Sequence, residues 1–435
     1  MLSMNLSRLN RIAASLAALV LQAPLFAAAA SADDSARIAD GRYLATAADC
    51  IACHTAPGGK PFAGGLPMTL PMGRIYSTNI TPDPATGIGH YTPADFRKVL
   101  REGVTPDGRN LYPAMPYPSY TKLSDRDIDA LYAYFMRGVP PVAQPNRTPD
   151  FGWPLTMRWP LKIWNALFLR AGAYADKPDR DSQWNRGAYL VQGAAHCGAC
   201  HTPRGIGMQE LALDESGASY LAGAVVDGWR AFNITSDEQA GIGIWTTGDI
   251  VQYLRTGNTP GRAQAAGPMA DAVTHSFSRM NDADLTAMAT YLRTVRPAPG
   301  PDRAPRSAQG RPADDYIALR TAGAAHAPPD GAALYLDHCA SCHGMRGTGT
   351  TDGFFPSLMK NSVVGTATAA NLTRTILFGA SVDNGHTHYF MPAFQTELRD
   401  DEVVALVTYL SLQFGNGQMR ITRDEVTTLR TAPAH

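Results

Sequence analysis

The six cysteines of this 435-residue chain fall into three copies of one pattern, each closed by a histidine. The copies are Cys50-Ile-Ala-Cys53-His54, Cys197-Gly-Ala-Cys200-His201 and Cys339-Ala-Ser-Cys342-His343. Two thiols three residues apart on a helical turn can add to the two vinyl groups of one haem, and the next residue then presents its imidazole to the iron. The pattern therefore predicts three covalently bound haem c groups, each with a histidine as its proximal ligand.

Other chemistry is possible for a single copy of this pattern. One copy could form half of a zinc site or a thioredoxin-like dithiol. Zinc would need a second half-site nearby, and a redox dithiol has no use for a histidine at every copy. Because each copy carries a histidine and no cysteine is left over, haem attachment is the favoured interpretation, and disulfides are not expected.

A haem of this kind usually takes its second axial ligand, often a methionine, from well downstream in the chain. Met115 and Met391 each stand before a proline, 61 residues after His54 and 48 residues after His343. The proline fixes φ and removes a backbone donor, which stiffens the loop that holds the sulfur. Although an isolated methionine is usually core filler, this position predicts Met115 and Met391 as iron ligands.

The methionine ligand of the second unit is marked less plainly. Met269 lacks the following proline, and Met280 is its rival. Aligning the closing helices of the units places Met280 at a core position, which leaves Met269 as the predicted ligand. Histidines could replace methionine as second ligands, and the candidates are His275, His386 and His388.

The surroundings of the three patterns indicate tandem units, because the patterns recur at intervals of 147 and 142 residues. The first two units also share a polar loop, in which Asn79-Ile-Thr81 returns as Asn233-Ile-Thr235. The side chains of this loop either satisfy backbone groups of a turn or line haem propionates. The first two units are therefore closer to each other than to the third.

Each unit closes with a helix whose apolar residues recur at i, i+3 and i+7. Ser124 and Asn281 are predicted N-caps, whereas the third helix has Arg399 at that position and would rely on Asp400. A small residue in the helix before each pattern would let the first and last helices of a unit cross closely. These residues are Gly41, Gly187 and Ala333. We therefore expect an all-α fold of three tandem haem domains, in which the haem supplies much of each small core.

The N-terminus has the features of a secretory signal. Arg8 and Arg11 precede an apolar stretch and an Ala-Ser-Ala site at 30–32, which predicts cleavage. A retained anchor helix is the alternative, and either one places the rest of the chain outside the cytoplasm. Basic and acidic residues both number 38, so the balance favours neither nucleic acid nor anionic lipid as a partner, and any charged contact must use a local patch.

The predicted order is a signal peptide (1–32), a first haem domain (33–145), a Trp-rich connector (146–182), a second haem domain (183–296), a Pro-rich linker (297–328), a third haem domain (329–416) and a C-terminal tail (417–435). The linker is expected to lie over the surface. The connector is too short and too charged to span a membrane. Its Trp, Arg and Lys residues beside apolar ones are typical of an interfacial segment, and packing between haem domains or on a partner subunit is the alternative.

The chain closely resembles the three-haem cytochrome c subunits of bacterial membrane-bound dehydrogenases over nearly all of the sequence after the signal. The likeness rests on the three haem patterns, the doubled Asn-Ile-Thr and Gly-Ile-Gly blocks, and Trp184-Asn-Arg-Gly-Ala-Tyr-Leu190. The Met-Arg-Trp-Pro-Leu-Lys-Ile-Trp run from Met157 is most similar to subunits that serve flavin-dependent gluconate, sugar or polyol dehydrogenases. Close relatives serve quinoprotein alcohol dehydrogenases.

The resemblance implies cytochrome c-like domains and an electron-transfer role, with no catalysis by the chain itself. It implies that electrons come from a catalytic subunit that oxidises CH–OH donors with flavin, or alternatively with a quinone cofactor, and go to ubiquinone. It also implies a small third subunit and a place at the membrane surface, on the periplasmic face of the inner membrane. A multihaem peroxidase or an oxidase subunit is the competing function, and a peroxidase would need one iron with an open sixth position.

Overall fold

The computed structural model describes residues 33–70, 72–302, 304–313 and 330–432. Within these residues helices dominate, and the sheets are short antiparallel hairpins of two strands each. The expectation of a helical fold is therefore correct in its main feature, although the sequence pattern did not predict the hairpins. No helix in the described ranges is both long and apolar enough to cross a bilayer. The predicted signal peptide lies outside the described residues.

The first haem pattern lies on a short helix within a mainly helical unit. Its elements are α1 (33–47), α2 (Cys50–Cys53), β1 (Pro67–Leu70), β2 (Gly73–Tyr76), α3 (Pro93–Glu102), α4 (Tyr117–Tyr120) and α5 (Asp125–Ala133). Thr92 and Asp95 form a capping box at the start of α3. The Ser124 hydroxyl accepts a hydrogen bond from the backbone N–H of Asp127, so the predicted cap of α5 is confirmed.

The second haem pattern lies in a similar arrangement. The elements here are α6 (Pro160–Phe168), α7 (Ser182–Tyr189), α8 (Gly198–His201), β3 (Ala224–Val226), β4 (Trp229–Ala231), α9 (Thr247–Thr256), β5 (Asn258–Thr259), β6 (Ala263–Gln264), α10 (Pro268–His275) and α11 (Asp282–Leu292). Thr246 and Asp249 repeat the capping box at the start of α9. Asn281 caps α11 by accepting from the N–H of Asp284, as the sequence predicted.

The third haem pattern follows the Pro-rich linker. Its elements are α12 (Gly331–His338), α13 (Ala340–His343), α14 (Ala370–Phe378), β7 (Ala380–Asp383), β8 (His388–Met391), α15 (Asp400–Phe414) and α16 (Arg423–Thr431). The prediction that Asp400 caps α15 is wrong. The Glu402 carboxylate accepts from the N–H of Arg399 instead, and Asp400 accepts from Arg430 and Thr427. These contacts tie α16, in the predicted C-terminal tail, to the start of α15.

The first and last helices of each unit cross at a glycine. A Cβ added at Gly41 would lie 1.9 Å from a carbonyl oxygen of α5, and one added at Gly187 would lie 2.0 Å from a carbonyl oxygen of α11. These two crossings agree with the prediction. In the third unit the close approach occurs at Gly331, where a Cβ would lie 2.3 Å from a carbonyl oxygen of α15. Ala333 is therefore not the crossing residue.

The first half of the Pro-rich linker packs against the second unit. The carbonyl of Ala298 accepts from Nδ2 of Asn233 at 2.6 Å. Arg306 and Asp302 are both buried, with 3.4 Å between Nη1 and Oδ2, and the guanidinium carbon lies 4.6 Å from the centre of the Phe232 ring. This part of the linker lies over the surface at several positions, such as Pro297, Gly300 and Arg311, as the sequence predicted. The sequence did not predict that Asp302 and Arg306 are buried, where their opposite charges compensate each other. Residues 314–329 lie outside the described residues.

Candidate functional site

A backbone carbonyl holds each of the predicted proximal histidines. The Nδ1 atoms lie close to carbonyl oxygens in three pairs, His54 with Thr78 at 2.7 Å, His201 with Phe232 at 2.6 Å and His343 with Pro356 at 2.8 Å. When Nδ1–H donates to a carbonyl, Nε2 is the nitrogen left to bind iron. Burial lowers the pKa of all three imidazoles, which favours the neutral form that ligates a metal.

The paired cysteines lie at or on single helical turns, namely α2, α8 and α13, and none of the six forms a disulfide. Burial raises the pKa of Cys197 to about 12 and that of Cys200 to about 11. Both cysteines of the second site are therefore neutral thiols near pH 7. Among the described residues, no group of three or more His, Cys, Asp or Glu side chains could hold a metal ion directly.

The second haem pattern opens into a cavity of about 230 Å³. Cys197, Cys200 and His201 line it, and so does Met269 in the first turn of α10. Most of the remaining lining is aromatic or aliphatic. Met280 is only 1% exposed, belongs to the apolar core and does not line the cavity. The structure therefore brings Met269 together with the pattern and leaves Met280 apart from it.

The third haem pattern opens into a cavity of about 170 Å³. Cys339, Cys342 and His343 line it together with Met391 of β8. Met391 therefore reaches the cavity from a hairpin, and its partner across the β7–β8 pair is Ala380. As in the second unit, the two thiols and the predicted proximal imidazole meet the predicted methionine ligand in one mostly apolar space. His338 also lines the third cavity, and His196 and Met288 also line the second.

The first unit carries the same set of predicted ligands, namely Cys50, Cys53, His54 and Met115. Cys50 and Met115 are half-buried and pack against the same apolar core. The backbone N–H of Met115 donates to the carbonyl of Tyr112 at 3.2 Å, in the turn before α4. Cys53 is exposed, unlike the other five cysteines. The His54 imidazole of this unit is held by a backbone carbonyl, as in the other two units.

The alternative histidine ligands lie apart from the cavities. His275 does not line the second cavity, and its Nδ1 lies 3.1 Å from the carbonyl oxygen of Asp271 in its own helix. His386 and His388 are exposed on the β7–β8 hairpin and do not line the third cavity. Nε2 of His388 lies 2.8 Å from the hydroxyl of Ser381. Their positions do not favour histidine as the second ligand.

The Asn-Ile-Thr loops are held by their own polar side chains. Nδ2 of Asn79 donates to the carbonyl of Val142 at 2.8 Å, and Nδ2 of Asn233 donates to the carbonyl of Ala298 at 2.6 Å. In both loops the Asn oxygen accepts from the N–H and the hydroxyl of the threonine two residues on. Of the two predicted roles, the satisfaction of backbone groups accounts for these positions.

The second site adjoins both the first and the third. Ala47 and Asp49, just before α2, line the second cavity, and the Ser276 hydroxyl after α10 donates to the carbonyl of Ala47 at 3.3 Å. One apolar core cluster also runs through the first two units. The second and third cavities share part of their lining, namely Gln264, Ala266, Val363 and Thr375. The second site therefore lies between the other two.

Two ionisable residues that line the second cavity were not predicted from the sequence. Burial raises the pKa of Asp49 to about 8. Arg306 lines the cavity and donates to the carbonyl of Ala240, and burial lowers the pKa of its guanidinium. Spacing could not have found either residue, since Asp49 stands before the first pattern and Arg306 lies 105 residues beyond His201.

The residues present fit haem c. Each pattern offers two thiols at the spacing of the vinyl groups and an imidazole whose Nδ1 is already occupied. In the second and third units a methionine lines the same apolar cavity. A macrocycle with an apolar face and two axial positions requires this combination of donors and lining.

Comparison with protein families agrees with the geometry. The family model described as cytochrome c matches residues 38–138 and 185–296, and the model described as cytochrome c oxidase, cbb3-type, subunit III matches residues 326–410. Between them the matched ranges contain all three haem patterns. The chain therefore carries cytochrome c domains, which attach haem c covalently.

Several curated proteins are similar to the chain over most of its length. The gluconate 2-dehydrogenase cytochrome c subunit of Pantoea cypripedii is 44% identical, over 97% of this chain and 96% of that protein. The cytochrome c subunit of the quinone alcohol dehydrogenase of Gluconobacter oxydans (strain 621H) is 43% identical, over 96% and 87%. The fructose dehydrogenase cytochrome subunit of Gluconobacter japonicus is 42% identical, over 90% and 82%.

Proposed function

We propose that the chain is a three-haem electron carrier at the membrane face, because it belongs to the family of cytochrome c subunits of dehydrogenase complexes. Subunits of this family carry electrons and leave the oxidation of the substrate to another chain. We place this one on the periplasmic face of the inner membrane, with ubiquinone as the acceptor. The proposal includes three tandem haem domains, each built around one Cys-x-x-Cys-His pattern.

The lining of the second and third cavities is the observation that supports the proposal. In both described cavities two thiols, an imidazole with its Nδ1 bonded to a carbonyl, and a methionine line the same apolar space. Haem c, when bound there, supplies a one-electron carrier. The two cysteines of each pattern would attach it, the fixed imidazole would orient it, and the aromatic and aliphatic side chains of the lining would keep water from it.

The proposed assignment of residues follows the sequence prediction. The thioether cysteines are Cys50, Cys53, Cys197, Cys200, Cys339 and Cys342, and the axial pairs are His54 with Met115, His201 with Met269 and His343 with Met391. A histidine–methionine pair at every iron leaves no open sixth position for a peroxide. This set favours electron transfer over a peroxidase.

The second site is proposed as the middle of the relay. It borders the first site through Ala47 and Asp49 and shares four lining residues with the third. Neighbouring sites that share side chains permit short transfers of an electron from one to the next. The chain thus offers a linear path with the second site at its centre.

The catalytic partner is proposed to be a flavin-dependent gluconate, sugar or polyol dehydrogenase, accompanied by a small third subunit. The similarity to the gluconate 2-dehydrogenase subunit supports this choice. The subunit of a quinone alcohol dehydrogenase is almost equally similar, at 43% against 44%. A quinoprotein partner is therefore the second candidate.

Copurification separates these candidates and tests the function. The tagged chain, isolated from its membranes in mild detergent, should bring down a dehydrogenase whose cofactor is flavin in the first case and a quinone in the second. Adding the substrate of that dehydrogenase should reduce the haems, and a short-chain ubiquinone should reoxidise them. Rapid binding of carbon monoxide by the fully reduced chain would instead show an open iron and would favour the peroxidase.

A further inference from the structure

Helix α6, in the Trp-rich connector, has two apolar faces. The inner face packs on both neighbouring units: the ring of Trp164 meets that of Tyr117 edge-on with centroids 6.3 Å apart, and its Nε1–H donates to the carbonyl of Gly207 at 2.7 Å. Asn165 accepts from the hydroxyl of Tyr117 at 2.6 Å. The connector is therefore fixed to the body of the protein, and packing between haem units accounts for this side of it.

The outer face of α6 is equally apolar but lies on the surface. Trp159, Ile163 and Leu167 follow one another at i, i+4 and i+8, and they are 62%, 54% and 59% exposed. Other large apolar residues are also exposed at the start of the connector and on the loop around Gly207. The connector face, as we name it, consists of Trp153, Leu155, Trp159, Ile163, Leu167, Ile206 and Met208.

The connector, residues 146–182, contains six basic and four acidic residues, and all four acidic residues lie outside its central part at 151–175. Residues 151–175 contain two arginines and one lysine and no acidic residue, although the whole chain has a formal net charge of zero. Arg158 is half-buried, and its guanidinium carbon lies 3.8 Å from the centre of the Tyr112 ring. Lys162 and Arg170 are exposed. The apolar surface is thus accompanied by available positive charge.

We propose that the connector face lies in the headgroup region of a bilayer that contains anionic lipid. Exposed tryptophans are characteristic of the membrane–water interface, and a helix that combines an apolar stripe with Lys and Arg is the form that binds in the plane of a membrane. The phosphate groups of anionic lipid would pair with the positive charges of Lys162 and Arg170. A protein partner would instead have to supply carboxylates at these two positions. The inference rests on the proposed function at the membrane face and names the surface that makes the contact.

The connector is hydrogen-bonded to the segments of the first unit that flank Met115. The Tyr112 hydroxyl, three residues before Met115, donates to the carbonyl of Leu155 at 3.2 Å. Asn165 of α6 donates to the carbonyl of Glu102 at 2.9 Å and accepts from Tyr117. The connector is therefore bonded to the segments on both sides of Met115. Docking of this face would hold the first unit against the bilayer.

Vesicle binding by the full-length holoprotein tests the proposal. Ile163→Gln with Leu167→Gln should weaken binding about tenfold or more, to vesicles of equal parts phosphatidylethanolamine and phosphatidylglycerol, because apolar area is lost. Lys162→Gln with Arg170→Gln should weaken binding to these vesicles by about tenfold or more, and should have little effect on binding to pure phosphatidylcholine. The matched control is Val225→Gln with Leu412→Gln, two residues that are 63% and 61% exposed elsewhere on the chain, and it should bind as the unmodified protein does.

Two results would overturn the inference. The first is that the Ile163 and Leu167 variant binds vesicles as well as the control does. The second is that this variant keeps its vesicle binding but no longer copurifies with the dehydrogenase, in which case the face contacts a protein. Haem spectra of each variant before and after reduction show whether it is folded and loaded. The electron-carrying function can hold while the inference fails, since haem reduction by the copurifying dehydrogenase in detergent needs no vesicle.

Discussion

At the scale of single residues, the three imidazoles are positioned by partners that the haem pattern does not contain. The acceptor carbonyls belong to Thr78, Phe232 and Pro356, which lie 24, 31 and 13 residues beyond the histidines. A carbonyl at Nδ1 fixes both the tautomer and the ring orientation before any ligand arrives. The sequence therefore predicted which nitrogen donors are present, while the backbone folded around them decides how they point.

Met269 is the ligand assignment that mutation can test most sharply. Replacing it with Ala should lower the midpoint potential of one haem by more than about 59 mV, a tenfold change for one electron, because methionine ligation raises the potential. Met280→Leu is the control: this core residue should tolerate the change at a cost below about 1.5 kcal/mol and leave every potential in place. Spectroelectrochemical titration measures both variants. A potential shift in Met280→Leu, with none in Met269→Ala, would reverse the assignment.

At the scale of elements, the first and last helices of a unit approach each other closely where they cross. At Gly187 an added Cβ would stand 2.0 Å from a carbonyl oxygen of α11, and that backbone atom belongs to a helix packed on both sides. The exposed Gly248 in α9 has no such neighbour, since the nearest atom, the Thr246 hydroxyl oxygen, would be 3.7 Å away. Both glycines lie within helices, but only Gly187 lies against the backbone of a neighbouring helix.

Gly187→Ala should lower the free energy of unfolding by about 1–3 kcal/mol, because the helices must move apart. Gly248→Ala should leave it unchanged or raise it by about 0.4–1 kcal/mol through the loss of backbone freedom in the unfolded chain. Thermal unfolding of the two holoproteins followed by circular dichroism gives the comparison. Equal melting temperatures for the two variants would mean that the crossing is looser than the structure shows.

The buried pair in the Pro-rich linker provides a second test at this scale. Arg306→Met alone should cost about 3–5 kcal/mol of stability, since it leaves Asp302 charged and buried. Combining it with Asp302→Leu should recover part of that loss, because the isolated charge is then removed. Denaturant titration measures the two variants and the exposed control Arg296→Met. If the single and double variants were equally unstable, the two charges would not be coupled.

The sequence predicted features that depend on neighbouring residues and missed those that depend on contacts between distant segments. Spacing found every cysteine and histidine of the patterns, and the capping rule found Ser124 and Asn281, because these signals are local. The cap of α15 was misassigned, since the side chain of Asp400 is claimed by Arg430 and Glu402 takes over. The burial of Arg306 depends on a cavity formed by segments that are distant in sequence, so the composition of the linker could not predict it.

At the scale of the whole molecule, the proposed relay is a single path because the second site adjoins the other two. The second site touches both of the others, through Ala47 and Asp49 on one side and through shared lining residues such as Gln264 on the other. Repeats in the sequence predicted three units. They did not predict which unit stands in the middle, because that depends on contacts between units and not on their order along the chain.

Removing the middle haem should therefore interrupt the path without destroying its ends. In Cys197→Ser with Cys200→Ser, electron exchange between the two remaining haems should slow by at least tenfold, as seen in stopped-flow traces after partial reduction. In Cys339→Ser with Cys342→Ser, the first and second haems remain neighbours, and their exchange should stay fast. Unchanged exchange in the first variant would place another site at the centre.

An anaerobic reductive titration of the purified holoprotein, followed through its haem absorbance, is the most direct measurement. The three patterns and their axial pairs predict uptake of three electrons per chain, with the haem absorbance changing in proportion until the last equivalent is consumed. Uptake of two electrons or fewer per folded chain would contradict the three-haem electron carrier.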